Sequence, residues 1–154
     1  MVVIRSGQPT GTINTSVLCG RGKMQINGVQ CSFHHLGIPT TEIKQEERYS
    51  SLFDMYTSDS DCESMRIQWH RFGPASSLHP IVRSQPHVAF KVDDLRRATA
   101  GMRLLLGPYE PIENFRVAIV EDHGQPIELI QTTLPDDEIW SRARTESILL
   151  QKPE

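Results

Sequence analysis

Cysteine is scarce: Cys19, Cys31 and Cys62 are the three in a chain of 154 residues. They are odd in number and lack CxxC spacing, which argues against a disulfide framework and for reduced thiols in a cytoplasmic protein. Basic excess is absent as well. Sixteen Lys and Arg face nineteen Asp and Glu, for a formal charge of −3. That leaves no basic footprint for nucleic acid and no polybasic patch for a membrane surface. No apolar run approaches the roughly 18 residues of a membrane span. The opening stretch MVVIRSGQPTGTINTS has no apolar core of a secretory signal.

What remains fits one domain of ordinary size, with 38% apolar residues and enough chain to bury a core without a staple. Residues 1–28 are rich in Gly, Ser, Thr and Asn and read as a flexible leader. Met24 stands just before the first clear strand, so a chain starting there is expected to fold as the whole domain. Strands are expected over 29–40, 51–59 (strand then turn), 64–72, 86–92, 103–111 (broken by Gly107 and Pro108), 115–124 and 125–133. The polar stretch 41–50 carries a weak helical signal, and the Pro- and Ser-rich 73–86 reads as a linker. Asp93 and Asp94 can cap a helix whose apolar face is Leu95, Ala98, Thr99 and Met102. A last, surface helix is expected from about 138 to 150, before a short tail to 154.

The second half therefore reads β-helix-β-β-β, and a shorter version of that order fits the first. His35-Leu36-Gly37-Ile38 matches His87-Val88-Ala89-Phe90, and Ile67-Gln68-Trp69 matches Ile127-Glu128-Leu129. His35 precedes Gln68 by 33 residues and His87 precedes Glu128 by 41, so the first unit is about one element shorter. Strand alternation puts each polar residue on the face opposite its apolar neighbours. If the two units close around one cleft, two imidazoles, an amide oxygen and a carboxylate converge there. A buried, unpartnered Glu128 would cost several kcal/mol, and a metal ion removes that penalty.

The motifs HHLGIPT, PHVAFKVDDL and GQPIELIQ, in this order, resemble the vicinal oxygen chelate superfamily over residues 29–133. That superfamily includes glyoxalase I, methylmalonyl-CoA epimerase, extradiol dioxygenases and bleomycin-resistance proteins. The resemblance implies an α+β fold of two βαβββ modules, about 29–73 (shortened) and 86–133, whose sheets form a cup around a divalent metal. It implies His35, Gln68, His87 and Glu128 as metal ligands, a set similar to that of the epimerase branch. His34 is the alternative to His35, although parity and the HLGI match favour His35. It also implies a homodimer.

Two imidazoles and two oxygens suit Zn, Ni, Co, Mn or Fe, with positions left for a small-molecule substrate carrying neighbouring oxygens. The expected activity is that of a lyase or isomerase of glyoxalase or epimerase type. The metal would stabilise an enolate, and Glu128 would be the catalytic base as well as a ligand. The alternatives are a non-catalytic binding protein of bleomycin-resistance type and an iron-dependent dioxygenase. His70 and Arg116 are further candidates for contact with substrate. Tyr49, Phe53, Met55 and Tyr56 either line the cup or face a helix. Trp69 and Trp140 are expected to pack.

Overall fold

The computed structural model describes residues 24–60 and 65–147. Nine strands are formed in them: β1 (Gln25–Ile26), β2 (Val29–Pro39), β3 (Arg48–Ser50), β4 (Met55–Asp59), β5 (Ile67–Phe72), β6 (His87–Val92), β7 (Arg103–Ile112), β8 (Phe115–Asp122) and β9 (Gln125–Thr132). Three helices join them: α1 (Pro80–Ser84), α2 (Leu95–Ala98) and α3 (Asp136–Thr145). Among the described residues, no helix is long and apolar enough to cross a membrane.

The class is α+β, with one curled mixed sheet in the order β3-β4-β5-β2-β6-β9-β8-β7, and β1 paired to β2. β2 and β6 form an antiparallel pair at its centre. Each has a parallel neighbour on its outer side, β5 beside β2 and β9 beside β6. The remaining pairs are antiparallel.

Alternation sorts the core onto two faces. On the outer face of the second half, Val92, Val120 and Leu129 pack under Leu95 and Ala98 of α2. Asp94 caps that helix by accepting from the Arg97 amide at 2.9 Å, and Gln131 Oε1 accepts from the Leu95 amide at 2.9 Å. On the inner face, Ile139 of α3 closes over Ile112, Phe115, Val117 and Ile130. Further along the same face, Leu78 and Val82 pack with Phe53 and Ile119.

Several expectations are corrected. Residues 41–47 form turns and bends rather than a helix. Their one aliphatic residue, Ile43, is 80% exposed, so no apolar stripe exists for a helix to bury. The strand and turn expected over 51–59 come in the opposite order, with a turn at 51–54 leading into β4. The linker over 73–86 contains α1, with Pro80 in its first turn and Leu78 and Val82 buried four residues apart. Part of the leader is structured too. β1 and β2 form a hairpin over Asn27-Gly28, both with positive φ, and the Asn27 amide donates to the carbonyls of Ala98 and Ala100 at 2.8 and 3.0 Å. α3 is not a purely surface helix, since Ile139 is buried beneath it. The leader residues 1–23, Cys19, Cys62 and the end of the last helix lie outside the described residues. Cys31 is a free thiol.

Candidate metal centre

Three of the four expected ligands come from adjacent strands at the middle of the sheet. His35 on β2 faces Ala89 on β6, and Ala89 faces Glu128 on β9, so His35 and Glu128 share a row and a side. His87 stands two residues before Ala89 and therefore on that same side. One ligand atom from each of His35, His87 and Glu128 lies within 4.8 Å of the others. The Glu128 Oε2 is 3.2 Å from His87 Nε2 and 3.7 Å from His35 Nε2. The imidazoles cross edge to face, with centroids 5.8 Å apart.

Small residues create the room. Gly37 pairs with His87 across β2 and β6, and a Cβ there would come within 2.2 Å of His87 Nε2. Ala89, fully buried between His35 and Glu128, leaves space above the row.

Gln68 belongs to the next row. It pairs with Gly37 on the β5 side and lines the same cavity. Its amide nitrogen donates to Asp59 Oδ1 at 3.0 Å, which leaves Oε1 as the atom available to a metal. Asp59 is fixed in turn by Arg48 at 3.1 Å.

Two further histidines enter the cavity. β2 carries one residue more than β6 between the pairs Phe33–Phe90 and His35–Ala89, a β-bulge. It turns His34 inward beside His35, with the two Nδ1 atoms 2.8 Å apart. His34 also stacks on Trp140 of α3 at 5.3 Å. The choice between His34 and His35 thus does not arise as posed: both are buried at the cavity. Strict alternation hid this, and the adjacent histidine pair was the only signal. His70 stacks on His87 at 5.6 Å, and its Nδ1 is 3.1 Å from the Thr57 hydroxyl. Phe53 and Met55 line the cavity, whereas Tyr49 packs on Tyr56 at 4.7 Å. Trp140 packs, as expected, but against a histidine of the cavity rather than on an aliphatic core. Arg116 is exposed, in register with Gln131, whose side chain reaches α2 on the outer face. The structure does not bring it to the histidines.

Burial holds the His34 and His35 imidazoles down at about 4, and that of His70 at about 3. They are therefore neutral at pH 7, the form that ligates metals. Burial pushes the Glu128 carboxyl up, but His35 and His87 beside it outweigh burial and hold it below the usual carboxylate range. Burial, with Glu128 nearby, pushes the Tyr109 phenol far up and keeps its hydroxyl protonated.

The donor set fits a divalent metal. His35 Nε2 is buried without a hydrogen-bond partner among the described residues, and His87 Nε2, also buried, has Glu128 Oε2 at 3.2 Å. A buried nitrogen left without a partner, as His35 Nε2 is, costs about 1–3 kcal/mol. A cation between them would satisfy both nitrogens and neutralise Glu128 at once. No known family model matches the chain, and no curated protein matches it.

Proposed function

We propose that the protein is a metal-dependent enzyme of vicinal oxygen chelate type, a lyase or isomerase that moves a proton beside a carbonyl of a small oxygen-chelating substrate. One observation carries the reading: His35, His87 and Glu128 meet within 4.8 Å at a cavity, where two buried imidazole nitrogens face one carboxylate oxygen. The strand order supports it. β6-α2-β7-β8-β9 closes with its first and last strands parallel, and β2-β3-β4-β5 does the same without a helix. That order supports a reading as two βαβββ modules, the first shortened.

In this reading His35, His87 and Glu128 hold the metal, with Gln68 Oε1 as a fourth donor. The bound metal supplies a Lewis acid for two neighbouring substrate oxygens. Glu128 takes a proton from the carbon next to the carbonyl and returns it. Its carboxyl is ionised at neutral pH, the form that can accept a proton. The apolar wall of the cavity excludes water while the proton is held. A homodimer belongs to the same reading.

The test is metal content of purified, tag-free protein beside His87→Ala and Glu128→Ala. Near-stoichiometric divalent metal in the parent, lost in both variants, is expected. A parent that is metal-free and refuses added zinc, nickel, cobalt, manganese and iron(II) overturns the enzyme reading and leaves a binding pocket.

A second reading shares the central observation. Two histidines and one carboxylate are also the facial set that holds iron(II) for oxygen chemistry. Retention of iron(II) in preference to zinc or nickel, with oxygen uptake on a catechol, would favour a dioxygenase.

A further inference from the structure

The cavity is strongly two-sided. Its donors stand on β2, β5, β6 and β9. The rest of the lining comes from the turn before β4, from α1 and Leu78 just ahead of it, and from β7 and β8, where Ile119 stands beside Glu128 in the sheet, and it is apolar: Phe53, Leu78, Val82, Leu106 and Ile119. Tyr109 joins that wall edge to face with Phe53, at 5.9 Å. The cavity is partly open to solvent and offers about 140 Å³. An engineered apolar cavity of about 150 Å³ in another protein accepts benzene.

Charge narrows the choice further. Arg48 is the one Lys or Arg lining the cavity among the described residues, and Asp59 holds its guanidinium at 3.1 Å. Asp59 also has Arg144 at 3.6 Å. Arg116 is exposed away from the cavity. A phosphate or a multiply charged peptide lying against this wall would find no unspent side-chain cation there, and the metal would be the one positive charge it could meet.

Resting on the metal-centre reading above, we propose that the cup selects a small ligand with an uncharged apolar body, the size of one ring or a short branched chain. The ligand presents two adjacent oxygens to the metal. The donor rows hold the oxygens, and Phe53, Leu106 and Ile119 hold the body.

Cobalt(II)-loaded protein provides the test, because its visible spectrum reports both metal uptake and chelation by an added ligand. Three probes offer oxygens to the metal: acetohydroxamate, benzohydroxamate and phosphonoformate. Benzohydroxamate is expected to bind at least tenfold more tightly than acetohydroxamate, and phosphonoformate the most weakly. Phe53→Ser and, separately, Leu106→Asn are expected to narrow the gap between the two hydroxamates while the cobalt spectrum persists. Equal hydroxamate affinities, or tightest binding of phosphonoformate, would overturn the ligand class and leave the metal centre standing. A parent protein with no cobalt spectrum would overturn both.

Discussion

The His87 ring lies over the α-carbon of Gly37: a Cβ at position 37 would sit 2.0 Å from His87 Cε1 and 2.7 Å from Nδ1. The glycine is needed for space, not for an unusual backbone angle, since it sits in a regular strand outside the positive-φ set. Gly37→Ala is therefore expected to push the imidazole aside and lower zinc affinity at least tenfold. Thermal unfolding of the metal-free protein should move little, because β2 keeps its ladder. Calorimetric zinc titration beside a melting curve measures both. An unchanged zinc affinity would show that His87 is not a ligand in its present position.

Glu128 has two proposed duties, and one substitution separates them. Glu128→Gln keeps the size and one oxygen donor but removes the charge and the base. Turnover should disappear more completely than metal binding, which should fall but persist. Activity and metal content measured on one preparation decide it. Equal loss of both would leave Glu128 a ligand only.

His34 acts through His35. For His35 Nε2 to ligate, its proton must lie on Nδ1, which then donates to His34 Nδ1 across 2.8 Å. Removing such an outer partner of a metal histidine typically costs about 10–100-fold in affinity. His34→Phe keeps the stack on Trp140 and removes the acceptor, so it is expected to weaken zinc within that range. His34→Gln, which can restore an acceptor, should recover part of the loss. Nitrogen NMR of the zinc-loaded parent should find the His35 proton on Nδ1.

Leu95 and Leu129 are buried on the outer face, away from the cavity. Leu95→Ala removes the residue that seats α2 and is expected to destabilise the fold by about 2–5 kcal/mol. Denaturant unfolding measures this. The metal stoichiometry of the folded fraction should be unchanged, which separates loss of fold from loss of site.

The second half was legible because its signals agree. Val88, Phe90 and Val92 alternate, Asp94 caps, and Leu95 and Ala98 fall on one helical face, all as built. The first half was harder because no helix forms between β2 and β3 and because β3 is only Arg48–Ser50. Residues 41–47 are polar enough to look helical but have nothing to bury. α1 was obscured by its own composition: prolines and serines advertise a linker, and only the spacing of Leu78 and Val82 betrays a buried turn. Period-two parity correctly grouped His35, His87 and Glu128, because all three lie in regular ladder. It failed one residue earlier, at the bulge, where an inserted residue breaks the period and brings His34 in. Asn27-Gly28 was a readable hairpin signal that the glycine- and serine-rich surroundings masked.

The central β2–β6 pair has a kinetic consequence. The three grouped ligands span residues 35 to 128 of the chain, and no two of them stand close in sequence. An unfolded chain offers a metal no local chelate among them, and the site is completed only when distant strands have met. Refolding is dominated by non-local pairing and should be slow, in the millisecond-to-second range of such topologies. Zinc should then leave the folding rate alone and slow unfolding, acting as a latch on the finished sheet rather than a nucleus for it.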